Sequence, residues 1–253
     1  MVHIMKIFVI NIKSNLDRRL AIQRQADTLS LHIEFIDAVN GAELTDCEVS
    51  KLVYDYPNCR LTKGEIGCAL SHLFIYEKII KEKISHALIL EDDAILSDNI
   101  HNVISEIENI DNIKKPNVYL LNKAEKYVNN RKVEAKELHI YQAYEASGTY
   151  GYLINKIAAK KLLKELKPIK YEADMWGIFK FRHFINVYCI IPHVISTFDL
   201  DTLSSSIETE RSSLKKERES YRHKLKKQEP NYQFYRLKDL LLKKFIYEIK
   251  ELS

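Results

Sequence analysis

The acidic run Glu91-Asp92-Asp93 follows directly on the apolar stretch Ala87-Leu88-Ile89-Leu90. Three adjacent carboxylates repel one another, and the repulsion grows as water is withdrawn. Such a group is either fully solvated or balanced by positive charge. At the end of a buried strand it is a suitable ligand set for a hard divalent cation. Mg2+ or Mn2+ takes oxygen donors and is commonly shared between one or two carboxylates and substrate phosphates. A solvated acidic turn is the alternative that the triplet alone leaves open.

Other residues bear on that choice. Asn11 in "VINIKSNLDRR" closes the first apolar run, and Arg18 and Arg19 follow on the next helix. Guanidinium groups there could pair with phosphate or orient a nucleotide; a pair of surface arginines is the plainer reading. Ser71 and His72 in "KGEIGCALSH" lie on a helix adjoining the acidic strand, where a histidine serves as readily in structural hydrogen bonding as in chemistry. "SGTYGYLIN" sets Gly148, Thr149 and Gly151 beside aromatic side chains. Glycines in such a segment let the backbone approach a ligand, or mark a β-bulge.

The elements that must position these residues follow from the hydrophobic pattern. Residues 5–12 are apolar and β-branched and predict a central strand. A helix follows to about residue 30, with Ser14 as its cap, Asp17 as capping partner, and Leu16, Leu20 and Ile22 turned to the core. "HIEFIDAV" predicts a second strand, and residues 41–58 a long polar connection of the kind that is often functional. Thr62 and Glu65 predict a capping box opening a helix whose apolar face is Ile66, Leu70, Leu73, Ile79 and Ile80. Residues 86–90 form the next strand, delivering the acidic turn at its C-terminal end. A helix near 98–110, a strand at "NVYLL", two strands within 136–154 and a helix over 155–166 come next. A short helix containing "ADMWGIFKFRHF" leads to the strand "INVYCII". Alternating strands and helices predict a doubly wound, mostly parallel α/β sheet, in which ligands bind beyond the carboxyl ends of the strands.

Composition narrows the class. The chain has 253 residues and only six glycines, which argues against a turn-dense β-sandwich. Cys47, Cys59, Cys68 and Cys189 show no CxxC pair and no zinc-ligand spacing, so a reducing, cytoplasmic setting is expected, with Cys68 packed as a small hydrophobe. The N-terminal apolar run is broken by Lys6 and reads as a buried strand rather than a signal peptide. No apolar run approaches the roughly 20 residues of a membrane span. The net charge of +4 hides an asymmetry: residues 211–250 carry 13 Lys/Arg against 5 Asp/Glu, leaving about −4 for the rest. This tail predicts helices near 208–228 and 231–250. Basic and rich in Tyr, Phe and Leu, it suits the cytoplasmic face of an anionic membrane, or a helical hairpin packed on the domain or a second subunit. Nucleic-acid binding is disfavoured, because the cations lie at one end only.

"FVINIKSNLDRR", "GEIGCALSH", "ALILEDDA", "SGTYGYLIN" and "YEADMW", in this order, resemble glycosyltransferase family 25, which includes bacterial lipooligosaccharide β-galactosyltransferases and relatives of the collagen galactosyltransferases. The resemblance covers about residues 5–210, including "SSI" at 205–207 and Arg211 near its end, and leaves 211–253 as an extension. It implies a GT-A-like fold, a UDP-sugar donor, a lipid-linked oligosaccharide acceptor, a DxD-type site for Mn2+ or Mg2+, and inversion at the anomeric carbon. It implies Asp93 as the main metal ligand, with Glu91 and Asp92 supporting it or contacting ribose; Glu at the first position of the triplet leaves their division of labour open. Asp174 matches the family's acid after the "GYLI" helix. It is the candidate base, with Glu172 the rival and helix capping the structural alternative. Trp176, the single tryptophan, is expected to stack on an acceptor sugar. A metal-dependent nucleotidyltransferase on a similar sheet is the alternative enzyme.

Overall fold

The computed structural model describes residues 5–198 and 214–252. "SSI" at 205–207 and Arg211 lie outside the described residues. The frame is a nine-stranded sheet with helices on both faces, the α/β architecture that the alternating pattern predicts. β1 (Lys6–Asn11) lies between β2 (Ile33–Asp37) and β3 (His86–Glu91) and is parallel to both. Beyond β3 come β8 (Gly151–Asn155), β5 (Asn117–Leu120), β9 (Asn186–Ile190), β7 (Ile140–Ala146), β6 (Ala124–Val133) and β11 (Ile249–Glu251). β2, β1, β3, β5, β9 and β6 run one way, and β8, β7 and β11 run against them. β4 (Ala94–Leu96) and β10 (Ile195–Thr197) form a separate antiparallel ribbon.

Strand periodicity sorts the core onto two faces. Ile7, Val9, Leu88 and Leu90 pack with α1 (Leu16–Thr28) and α4 (Ile100–Ile110); Phe8, Ile10, Ala87 and Ile89 pack with α3 (Lys63–Lys81) and α5 (Lys156–Glu165). α4 buries Ile100, Val103, Ile104 and Ile107, one stripe at helical spacing. Full burial of each such side chain stabilises by about 1.5–3 kcal/mol. Chain connections leave β1 in opposite senses: α1 leads to β2 across one face, and α3 leads to β3 across the other. Strand order therefore reverses between β1 and β3, and a crevice opens beyond their carboxyl ends.

Several elements differ from expectation. α1 is capped by Asn15, whose side chain accepts from the Arg18 amide, because the helix starts one residue beyond Ser14. Its buried residues are Ile22 and Ala26, whereas Leu16 and Leu20 stand 62% and 54% exposed. The 41–58 connection contains a 3-10 turn at Gly41–Glu43 and α2 (Asp46–Leu52), which has its own Thr45–Glu48 capping box. The predicted Thr62–Glu65 box is present on α3. β7 and β8 are not paired to each other: β8 inserts between β3 and β5, and β7 pairs with β6 and β9. β6 is unexpected from the sequence, since only Ala124 and Val128 along it are buried.

After the short α6 (Trp176–Phe181) and β9, the described tail comprises α7 (Lys215–Gln228) and α8 (Tyr232–Phe245). The second predicted helix stops earlier than expected, and residues 249–251 pair with β6 instead. α7 inserts Leu225 into the core beside the α3 face, and the Tyr221 hydroxyl donates to Asp55 at 2.8 Å. α8 has no buried residue.

Candidate functional site

A cavity of about 620 Å3 occupies the crevice beyond β1 and β3. Its wall brings together Arg18 and Asn15 from the start of α1, the 38–42 loop, Lys63, Cys68, Ser71 and His72 from α3, and Glu91 and Asp92 from the acidic turn. Cys68 and His72 sit four residues apart and so share a helix face. Cys68, expected as a core hydrophobe, borders the cavity, and burial pushes its thiol well above the usual value.

Each acid of the triplet has different company. Asp92 accepts from Asn11 Nδ2 at 2.7 Å and from Arg18 Nη1 at 3.3 Å, so two predicted residues meet on one carboxylate. Glu91 accepts from the Thr149 hydroxyl and lies 3.5 Å from His72 Nε2. Burial alone would raise its pKa, but His72, Thr149 and the charge of Arg18 together outweigh burial and hold it below the usual carboxylate value. Asp93 turns away from the cavity wall and accepts from the Thr197 hydroxyl at 2.8 Å, on the β10 ribbon. The triplet is thus spread over three directions, which answers the repulsion problem by giving each charge its own donors.

The remaining residues fall on either side of this group. Ser71 donates to Gly67 O at 2.8 Å and accepts from the Val39 amide at 2.9 Å, clipping α3 to the 38–42 loop. His72, 1% exposed, is oriented by a 2.8 Å bond between Nδ1 and the Tyr152 hydroxyl. Gly148 has φ +77°, a conformation that favours glycine, and its amide donates to Asp174 Oδ2 at 3.1 Å. α6 starts after Met175 with no side-chain cap, so the Asp174 carboxylate serves the 148–149 loop rather than a helix end. Gly151 is buried in β8, where an added methyl group would meet Ile195.

Three expectations are not met by this geometry. Trp176 is 1% exposed; its indole donates to Gly148 O at 2.9 Å and packs edge-on against Tyr152 and Phe179, so it offers no face to a sugar. Arg19 lies over the Phe35 ring, 3.9 Å from its centroid, and beside Asp37, away from the cavity. Glu172 is 4% exposed and paired with Arg218 and Arg222, which leaves it no access to a substrate hydroxyl. Asn15, Lys63 and Cys68 went unrecognised as lining residues. The only sequence signal was the closeness of Asn15 and Lys63 to helix starts, where anions are favoured.

Ligand atoms of Cys68, His72 and Glu91 lie within 4.8 Å of one another, a trio able to hold a metal ion. Glu91 and Asp92 supply the cavity wall with the oxygen donors that a hard cation takes, so the residues present fit a divalent ion shared with a ligand phosphate.

Fold and site together define an α/β protein with a charge-bearing cavity at the switch point of its sheet, the position where such sheets bind nucleotides. Residues 4–176 match the family model described as glycosyltransferase family 25 (LPS biosynthesis protein), and the chain belongs to that family. It is 26% identical over 162 residues to the lipooligosaccharide biosynthesis protein lic2B of Haemophilus influenzae, covering 61% of each chain. It is 26% identical over 171 residues to human procollagen galactosyltransferase 2, covering 62% of this chain and 27% of that one. The chain thus spans less than two thirds of the length of these relatives. Among solved structures, mannose-1-phosphate geranyltransferase from Thermus thermophilus aligns over 75% of this chain and 60% of its own, at 9% identity and a TM-score of 0.34.

Proposed function

We propose that the protein transfers a hexose, galactose before glucose, from a UDP-sugar to a saccharide acceptor of lipooligosaccharide type, with inversion at C1. The observation that carries the reading is that the five family motifs meet as bonded neighbours, three of them lining one cavity and the other two, with Asp174, packed behind its Glu91 wall. Asn11 and Arg18 meet Asp92; His72 and Thr149 meet Glu91; Gly148 meets Asp174.

In this reading Asp174 takes the proton from the acceptor hydroxyl as that oxygen bonds to C1. The bond from C1 to the diphosphate oxygen breaks, and UDP departs with the electron pair. Positive groups on the cavity wall, Arg18 and Lys63, suit the diphosphate. Glu91 and Asp92, with Asp93 next to them in the chain, would hold Mn2+ or Mg2+, which would offset the charge gathered on the diphosphate. Trp176 acts through Gly148 O by fixing the loop that receives Asp174, not through contact with the acceptor.

α8 supports a peripheral contact with an anionic membrane, where a lipid-linked acceptor resides. Phe234, Leu237, Leu241 and Phe245 follow helical spacing and are 48–70% exposed, among Arg236, Lys238, Lys243 and Lys244. No described helix is long and apolar enough to cross a membrane.

A panel of UDP-sugars, assayed with Mn2+ and with EDTA, tests the reading. Release of UDP together with a glycoside, lost in EDTA, is the expected result. Pyrophosphate as product would instead indicate a nucleotidyltransferase.

A further inference from the structure

We infer that Arg218, on a helix beyond the family-matched segment, is a positioning residue that fastens both walls of the site. Its side chain is 3% exposed. Nη1 lies 2.6 Å from Glu65 Oε1 and 3.5 Å from Glu172 Oε1, and Nε donates to Arg60 O at 3.1 Å. Arg222, one turn further along α7, pairs with the same Glu172 oxygen.

The two carboxylates hold different parts of the site. Glu65 completes the capping box of α3, its Oε2 accepting from the Thr62 amide at 2.8 Å. Glu65 therefore ties Arg218 to the start of the helix that carries Cys68, Ser71 and His72. Glu172 lies two residues before Asp174, in the segment that meets the 148–149 loop through Asp174 and Trp176. Arg218 bridges these two walls from behind. A planar guanidinium spreads its donors, Nη1 to the two carboxylates and Nε to the carbonyl, where a lysine would offer a single nitrogen. Once this group is buried, removing one partner leaves uncompensated charge that the neighbouring segments must move to solvate. The tail then belongs to the site mechanically, although none of its described residues lines the cavity.

The single tryptophan makes the test direct, because Trp176 reports on the Asp174 segment. Full-length Arg218→Met and Arg222→Met are compared with Tyr221→Phe, which removes another α7 anchor without touching Glu65 or Glu172. Arg218→Met is expected to raise acrylamide quenching of Trp176 severalfold at unchanged helix content. Resting on the transferase reading, its kcat should fall on the order of ten- to a hundredfold with a higher KM for the UDP-sugar, a misplacement effect. Arg222→Met, which removes the ion pair to Glu172 and leaves the Arg218–Glu65 pair in place, should lower kcat and raise that KM less than Arg218→Met does. Tyr221→Phe should lose thermal stability while keeping wild-type quenching and kcat. Wild-type quenching in a folded Arg218→Met would overturn the inference; if that variant does not fold, the same outcome in Arg222→Met overturns it. A wild-type protein without transfer activity on any donor would refute the transferase reading, and the fluorescence comparison would still decide on Arg218.

Discussion

The proposed chemistry is tested first at Asp174 and at the acids of the turn. Asp174→Asn keeps an acceptor oxygen for the Gly148 amide but removes the proton acceptor. kcat should fall about 10^2–10^4-fold while calorimetry shows unchanged UDP affinity. Asp92→Ala, at an acid that does line the cavity, should lower UDP affinity in Mn2+ far more than in EDTA. Asp93→Ala, at a carboxylate held by Thr197, should have the smaller effect. Equal affinity in Mn2+ and EDTA for Asp92→Ala would remove the acids of the turn from metal binding. At this scale the sequence was partly legible. Asn11, Arg18, His72, Glu91 and Asp92 could be named because they stand in an ordered set of motifs around a strand that ends in three carboxylates. That Asp93 turns to Thr197, and that Trp176 and Glu172 are buried, depends on partners 28 to 104 residues away, which no local pattern encodes.

At the scale of elements, α3 is the wall that matters most, and its approach to the 38–42 loop is set by glycines. A methyl group at Gly67 would lie 2.4 Å from Val39 O and 2.7 Å from the Gly41 amide, both backbone atoms. Gly67→Ala must therefore push α3 off the loop, at a cost of about 1–3 kcal/mol in urea unfolding, and should raise KM for the donor. The helix itself was readable, since Thr62 and Glu65 announce its start and the apolar stripe its length. The meaning of Gly67 was not, because a helical glycine looks permissive until the opposing backbone is known. β6 stayed hidden for a related reason: it is a hairpin strand with little buried surface, so strand alternation is faint.

For the whole molecule, two predictions concern features remote from the cavity. Asp111 is a buried hub at the far end of the sheet, accepting from Asn117, Tyr119 and Asn155 and pairing with His86 at 3.0 Å. Burial pushes its pKa up, but these donors outweigh burial and hold it below the ordinary value of 3.8. A depressed carboxyl stabilises the fold above its unfolded value, and that contribution disappears as pH falls through the lower folded value. Asp111→Asn should thus cost about 2 kcal/mol at pH 7, with the gap to wild type closing in acid below 3.8. Separately, full-length protein should float with anionic vesicles at low salt. Serine at Phe234, Leu237, Leu241 and Phe245 should abolish flotation without altering turnover on a soluble acceptor. Flotation that survives all four substitutions would remove α8 as the contact. Full-length chains are needed in both cases, because α7 and β11 are built into the domain.

β11 has a consequence of another kind. By pairing with β6 it occupies what would otherwise be a bare rim of amides and carbonyls, the usual template for unwanted lateral pairing between molecules. A protease nick near residue 246 would uncover that rim, and the clipped protein would be prone to aggregate edge to edge long before the cavity-bearing half had lost its shape.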